Sequence, residues 1–436
     1  MLDIKLIREN PEAVKEGITK KKADPKLVDA FLRLDEDWRT KVAAIDELRS
    51  EHNLNNAELA KHRTDDLISK AEILKKQLVK LEKEKEDIEK HRQAKLNLMP
   101  NLPDVDVPAG KDETENSVAK EVGKKPEFDF EPQGYLSISE KLGIIDVKRA
   151  AKVSGSRFGY LLGQAALLEF AIINFTIKHL TDENFIAKLI KENNLNLSPK
   201  PFVPVVPPVL INQKSMWGMG YLDRGADEIY HLDKDDLFLV GTSEQSIGAM
   251  CQGETFEGKD LPLRYLGFSP CFRREAGSYG KDTKGILRVH QFDKLEMFGF
   301  VLPENSKEEH KLFLAIEEAL MKELGIAYRV LNICTGDLGA TASAKYDIEA
   351  WLPGENQYRE THSTSNCTDY QARRLDIRYK APAEKGAKPK TEYVHTVNGT
   401  AFAIGRAIIA IIENNQTKEG TFNIPKALSP YFDKLK

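Results

Sequence analysis

The chain has 436 residues, 41% hydrophobic and 30% charged, with a formal net charge of −4. That length accommodates two or three domains with a full core, and the slightly acidic balance excludes a generally basic nucleic-acid surface, leaving any RNA contact to local patches. Four cysteines without a CxxC pair exclude a disulfide framework or a cysteine zinc site and fit a reducing, cytoplasmic setting. The opening MLDIKLIREN lacks an apolar run, so no signal peptide is expected. The most apolar stretch, 401–412, is interrupted by Arg406 and is too short to cross a bilayer.

Residues 1–99 form an arm rich in Lys, Glu, Leu and Ala, with a single glycine, Gly17. Phe31, Leu34, Trp38, Val42, Ile45 and Leu48 recur at helical spacing from Leu27 to about Arg63. A second run begins near Asp66, where Leu67, Ala71, Leu74, Leu78 and Leu81 step by four and three as a coiled coil requires. His62 to Asp65 has no apolar pattern and can reverse the chain, so an antiparallel helical hairpin is expected. Such an arm serves as a dimerisation zipper, a spacer or an RNA-reaching arm. Its 22 basic and 21 acidic residues nearly balance, but Lys61, Arg63, Lys70, Lys75 and Lys76 concentrate charge near the expected tip.

Residues 100–119, within a stretch rich in Pro, Asp, Glu and Asn, read as a linker. Residues 135–180 read as helix in pieces. PKPFVPVVPPVL (199–210) cannot be regular helix, because proline removes donors and fixes φ; extended chain at a sheet edge or beside a second subunit fits better. LFLVGTSEQSIGAM (237–250) reads as a strand entering a helix, with Thr242-Ser243-Glu244 at the junction, where the same residues also suit a helix cap. GETFEGKD (253–260) nearly spells a P-loop. It is rejected, because Asp260 stands where a hydroxyl would hold Mg²⁺ and Pro262 where the helix would start.

Residues 262–300 read as two strands joined by a long loop from Ala276 to Ile286, longer than an ordinary hairpin turn. Alternation places Arg273 and Glu275 on one face of the first strand, and Arg288, Phe292 and Glu296 on one face of the second. Leu287, Val289, Leu295 and Met297 take the other face. Two guanidiniums suit a polyphosphate, an aromatic ring suits a nucleobase, and an inward carboxylate suits an amine. Residues 305–326 read as an amphipathic helix, and 328–335 and 346–351 as strands. Residues 381–390 read as a surface loop, and 395–416 as a strand entering a buried helix in which Arg406 needs a phosphate or a carboxylate as partner.

These stretches carry a resemblance. Phe272-Arg273-Arg274-Glu275 resembles motif 2 of the class II aminoacyl-tRNA synthetases, and RVHQFDKLEMF (288–298) is similar to seryl-tRNA synthetases in particular, here of the bacterial type. The 199–210 stretch, with Pro207 or Pro208, resembles motif 1, a dimer-interface element, and Gly405-Arg406 resembles motif 3. The resemblance implies an α+β fold: an antiparallel sheet flanked by helices as the catalytic domain, 120–436, preceded by a coiled-coil arm, 1–99. It implies ATP-dependent attachment of L-serine to tRNA(Ser), and possible use of tRNA(Sec), by a homodimer. Implied roles are Arg273 at the α-phosphate, Glu275 at the adenine, Phe292 stacking on it, Val289 beside the nucleotide, and Arg288 and Arg406 at the outer phosphates. Glu360 and Ser363 would hold Mg²⁺, and Thr242, Glu244, Glu296, Asn398 and Thr400 would enclose serine. Lys61, Arg63, Lys70, Lys75 and Lys76 would meet tRNA. The sequence departs from the family's E-x-S-S in having Glu360-Thr361-His362-Ser363, which puts the metal geometry in question. Two rivals share these motifs: an adenylating paralogue that loads a carrier protein, and a non-catalytic RNA-binding relative. The long arm speaks against the first, and retention of Arg273, Glu275, Glu296 and Arg406 against the second.

Overall fold

The computed structural model describes residues 1–223, 225–276, 284–381 and 390–435, in two compact units, Met1–Leu102 and Pro103–Lys436. No helix among the described residues is long and apolar enough to cross a membrane.

The first unit contains α1 (Ile4–Glu9), α2 (Pro11–Lys20), α3 (Lys26–Lys61) and α4 (Asp65–Asn97). At 1.5 Å per residue the two long helices extend about 50 Å. The Thr64 hydroxyl caps α4 by accepting from Leu67 N. Asn55 donates to Leu67 O (2.9 Å), and Lys41 meets Glu84 (2.5 Å), so the helices run antiparallel as expected. Only Val28, Phe31, Ile45, Leu74 and Leu96 of their apolar residues are fully buried, because two helices alone cannot enclose a whole seam. Near the base, the buried Asp35 carboxylate accepts from Arg8 at 2.7 and 2.8 Å and from Arg92 at 2.8 Å. The Arg92 guanidinium also lies 4.7 Å from the Trp38 ring centre. Lys61, Arg63, Lys70, Lys75 and Lys76 are all exposed; Lys70 pairs with Glu51 at 2.9 Å.

The second unit is built on an eight-stranded sheet. Its strands are β1 (Ser117–Val122), β2 (Val203–Val205), β3 (Leu263–Phe272), β4 (Gln291–Val301), β5 (Tyr328–Asn332), β6 (Ala344–Leu352), β7 (Gln357–Thr368) and β8 (His395–Ala403). Their spatial order is β1-β5-β6-β7-β8-β4-β3-β2. All neighbours are antiparallel except β2, which runs parallel to β3 at the edge. That edge strand is the extended proline-rich stretch. The expected linker, 100–119, overlaps the unit boundary after Leu102 and the start of β1 at Ser117, and Asp104 N already bonds Ser343 O.

One sheet face packs against α5 (Gln164–Leu180), α7 (Ser306–Leu324) and α9 (Ile404–Asn414), burying residues such as Phe175, Phe313, Ile316, Ile408 and Phe402. The other face carries the polar residues. Two short helices, α6 (Glu244–Met250) and α8 (Tyr370–Leu375), border it. Residues 258–260 form a single 3₁₀ turn, not the helix start that a P-loop needs.

Two β-bulges set which side chains face the cleft. In β7, Glu360 pairs with Glu349 and His362 with Ile348, so Thr361 is the extra residue. In β8, Thr400 pairs with Glu296 and Phe402 with Leu295, so Ala401 is the extra residue.

Candidate active site

One cleft of about 260 Å³ over β4, β7 and β8 is lined by Thr242, Glu244, Arg273, Glu275, Arg288, Val289, Phe292, Glu296, Glu360, Ser363, Asn398, Thr400 and Arg406. Every residue expected at the nucleotide, metal and amino-acid sites thus meets in one place, although they come from segments as far apart as 242 and 406.

The hairpin differs from its expected form. β3 stops at Phe272 and β4 starts at Gln291, so Arg273, Glu275, Arg288 and Val289 belong to the connection, not to the strands. The pairing continues only through Arg273 N to His290 O. Glu275 then takes φ +52°, a left-handed conformation that breaks strand alternation. Consequently Arg288 and Val289 both line the cleft despite their opposite parity. Of the long connecting loop, residues 277–283 lie outside the described residues, as do 382–389 of the expected surface loop.

At the end of the cleft where a nucleotide is expected, the Arg288 guanidinium donates to Glu275 Oε2 at 2.7 Å. The Arg273 guanidinium stands 5.3 Å from the Phe292 ring centre and donates to Gly241 O at 3.2 Å. Arg406 sits in the first turn of α9, not deep within it, and has a carboxylate partner. Its Nη1 lies 3.4 Å from Glu360 Oε1 and donates to Glu360 O at 2.9 Å. Arg406, Lys345 and Arg273 hold the half-exposed Glu360 carboxyl below the usual carboxylate range.

Ser363 shares the cleft face with Glu360 because of the Thr361 bulge. Asp347 faces Ser363 across the ladder, and Lys345 lies 3.1 Å from its carboxylate. Burial pushes the Asp347 carboxyl up to about 6. His362 points the other way. Its ring is buried against Phe402 on the core side, with Nδ1 2.8 Å from Thr361 Oγ1. Burial lowers its pKa to about 4, so it is neutral. The departure from E-x-S-S therefore lies on the face away from the cleft.

At the amino-acid end, Glu244 is buried. The Tyr221 hydroxyl donates to its Oε2 (3.1 Å) and Gln371, on α8, donates to its Oε1 (2.9 Å). Burial, then the nearby Glu296, push this carboxyl up to about 7. Thr400 donates to Glu296 Oε2 at 3.1 Å, and Lys294 lies 2.5 Å from the same oxygen. Behind the sheet, Glu317 is fully buried on α7, and neither carboxylate oxygen is hydrogen-bonded among the described residues. Burial and then Glu296 push it well above the usual range, which keeps it neutral. A Cβ at Gly399 would come 2.9 Å from Thr364 Oγ1 and 3.0 Å from Glu317 Oε1, so a side chain there would have to displace both.

Sequence reasoning missed Lys294, Lys345, Tyr221 and Gln371. Alternation could have found Lys294, which shares its parity with Phe292 and Glu296. It could also have found Lys345, two residues from Asp347. Tyr221 and Gln371 carry no such signal, because only the tertiary fold brings them to Glu244.

The chain's likeness to known proteins agrees with this geometry. Residues 229–415 match the tRNA synthetase class II core domain (G, H, P, S and T), and residues 1–103 match the seryl-tRNA synthetase N-terminal domain. A serine–tRNA ligase of Acidothermus cellulolyticus is 43% identical over 434 residues, covering 99% of this chain and 98% of that one. A serine–tRNA ligase of Pyrococcus horikoshii is 43% identical over 458 residues, covering 99% and 96%. The crystal structure of seryl-tRNA synthetase from Pyrococcus horikoshii complexed with ATP superposes with a TM-score of 0.88 at 42% identity, covering 99% of this chain and 98% of that one. With both domains matched and near-full-length identity above 40%, this chain belongs to the seryl-tRNA synthetase family, within class II of the aminoacyl-tRNA synthetases.

Proposed function

We propose that the chain activates L-serine with ATP and transfers the seryl group to tRNA(Ser). The observation that carries this reading is the convergence of all the expected nucleotide and serine residues on one cleft. A serine carboxylate oxygen attacks the α-phosphorus of ATP, and pyrophosphate leaves. A ribose hydroxyl of the tRNA terminus then attacks the seryl carbonyl, and AMP leaves. No side-chain nucleophile is needed, so catalysis rests on positioning and on stabilising charge.

In this reading Arg273 meets the α-phosphate, and Phe292 and Glu275 meet the adenine with Val289 beside it. Arg288 and Arg406 meet the outer phosphates. Their present partners, Glu275 and Glu360, keep these cations in place before the nucleotide arrives. Glu296 and Glu244 take the serine amine and hydroxyl, with Thr242, Asn398 and Thr400 around them. A site that hydrogen-bonds the substrate hydroxyl rejects alanine by about 10⁴–10⁵, and the size of the cleft rejects threonine.

Glu360 and Ser363 would hold Mg²⁺. The donor set fits: a carboxylate held ionised by three nearby cations beside a hydroxyl, both oxygen donors. No cluster of three acidic, histidine or cysteine side chains able to cage a metal occurs among the described residues, which suits an ion completed by phosphate oxygens and water. Bound there, it would neutralise phosphate charge.

The helical hairpin, with Lys61, Arg63, Lys70, Lys75 and Lys76 exposed, is the tRNA-gripping arm, and the arm (1–99), linker (100–119) and catalytic (120–436) division follows from that role. tRNA(Sec) offers the same terminal chemistry as a second acceptor. A homodimer would cover the β2 edge, where Val206 is 83% exposed. Four buried cysteines, none of them in a disulfide among the described residues, support a cytoplasmic setting. The bacterial type is supported by likeness to the Acidothermus relative, although the archaeal relative is equally similar. The test is ATP–pyrophosphate exchange with serine, alanine, threonine and glycine. Exchange with serine alone is expected; no exchange with any amino acid would favour an RNA-binding relative that lacks catalysis.

A further inference from the structure

The serine end of the cleft holds an unusual concentration of acid. Glu244 and Glu296 face it, and Glu317 lies directly behind the sheet. One cation stands among them. Lys294 is on β4, two residues before Glu296 and on the same face, and its Nζ lies 2.5 Å from Glu296 Oε2. The pair is almost closed off from solvent, with the lysine side chain 6% and the glutamate 3% exposed. The Thr400 hydroxyl donates to that same Oε2 at 3.1 Å. Both contacts fall on one oxygen, and Oε1 takes none among the described residues.

We propose that Lys294 is a positioning residue for amino-acid recognition: with Thr400 it pins one oxygen of Glu296, so that the other is presented, in a fixed orientation, to the serine. The inference rests on the serine-activation reading above and assigns to it a residue beyond the expected set.

The physical argument has two parts. A carboxylate has a broad, nearly two-fold terminal torsion, and a free one loses that freedom on binding. Two donors on Oε2 remove it beforehand. The second part is charge. Glu296 lies beside Glu244 and in front of Glu317, so a negative charge there needs an opposite one close by. Lys294 supplies it before substrate binds. The incoming amine is then a second cation, and Glu244 is the second carboxylate available to match it. The lysine cannot simply swing aside. Its backbone is paired on both sides, to Ser269 of β3 and Ala403 of β8, and its side chain is buried. The lysine's carboxylate partner is Glu296, whereas Arg288 and Arg406 pair with Glu275 and Glu360, so its effect is expected on the amino acid.

The experiment is steady-state ATP–pyrophosphate exchange on the full chain, wild type against Lys294→Met and Lys294→Arg, with serine and ATP varied separately and thermal unfolding measured in parallel. Lys294→Met removes one partner of a buried, hydrogen-bonded charge pair, and the KM for serine is expected to rise on the order of 30-fold or more. The KM for ATP stays within about twofold, because uniform binding at the other end is untouched. Lys294→Arg keeps the charge and the donors and recovers most of the serine affinity. An unchanged serine KM in Lys294→Met overturns the proposal. So does a lowered one, which would make the lysine a competitor of the substrate amine. A parallel rise in both KM values with a lower unfolding temperature and no recovery in Lys294→Arg assigns it a packing role and also overturns it. Wild-type protein without serine-dependent exchange would instead overturn the activation reading itself.

Discussion

Replacing His362 by leucine tests the side of the sheet on which this ring lies. The ring is buried against Phe402 on the core side of the sheet. Burial lowers its pKa from 6.5 to about 4, so the folded chain holds it neutral while the unfolded chain protonates it. The sign follows: the neutral ring is fully accommodated above pH 6.5, and stability is lost as the pH falls from there towards 4. At pH 5 the unfolded state lies 1.5 units below its pKa while the folded ring is still mostly neutral, which is a loss of about 2 kcal/mol at 1.36 kcal/mol per unit. His310, buried with its ring nitrogen on Thr364 O at 3.0 Å and also lowered to about 4, contributes a similar loss. Wild-type protein therefore carries the His362 penalty and His362→Leu does not, while His310 and His395, both lowered by burial, are common to the two. Urea unfolding at pH 7.5 and pH 5 isolates the difference, since the raised carboxyls, Glu244, Glu317 and Asp347, are common to both proteins. The expected result is that the variant loses about 2 kcal/mol less than wild type between the two pH values, with its serine-dependent exchange and Mg²⁺ requirement unchanged. Equal pH dependence would refute a buried neutral ring. A changed Mg²⁺ requirement would place the ring in the cleft.

Three further outcomes are expected. Asp35→Ala leaves Arg8 and Arg92 without their shared buried carboxylate and should cost the first unit about 3–5 kcal/mol, read by thermal unfolding followed by circular dichroism; a cost under about 1 kcal/mol would class the cluster with exposed ion pairs. Although burial raises the Asp35 carboxyl, its bonds to Arg8 and Arg92 hold it below the usual range, so this stabilisation is present above about pH 4 and lost below it. Glu296→Ala should abolish serine-dependent exchange while ATP still binds by calorimetry; normal exchange would remove Glu296 from the site. Deleting residues 1–98 should spare exchange but severely impair tRNA charging, and equal loss of both would make the arm structural.

Much of the fold was legible because its signals are local. The periodicity of Leu67, Ala71 and Leu74 and the break at His62–Asp65 mark the helical hairpin, and Thr64 caps the returning helix as such a residue does. The strict alternation of Phe292 and Glu296 marks one strand face. What failed to show was whatever interrupts a period. Glu275 in a left-handed conformation, the early end of β3 at Phe272, and the bulges at Thr361 and Ala401 each break the two-residue rule. They occur at the cleft. Glu360 and Ser363 were placed together by resemblance alone, since residues three apart on a regular strand face opposite ways. The same reasoning could not tell that His362 faces the core. Glu317 was also invisible, because an amphipathic helix normally turns such a residue to water.

The extra residue in β7 changes what kind of mutation this stretch can absorb. Without a bulge, Glu360 and Ser363 could not occupy one face, so their partnership depends on counting as well as on identity. A point change at His362 alters a side chain that faces Phe402 in the core, whereas Thr361 is both the extra residue and part of the cleft lining. Were the strand to become regular at its present length, the three-residue spacing would turn the carboxylate and the hydroxyl to opposite sides of the sheet while leaving both residues in the chain. The partnership of the two side chains therefore rests on the bulge being kept, and the His362 departure, packed against Phe402 in the core, leaves that bulge in place.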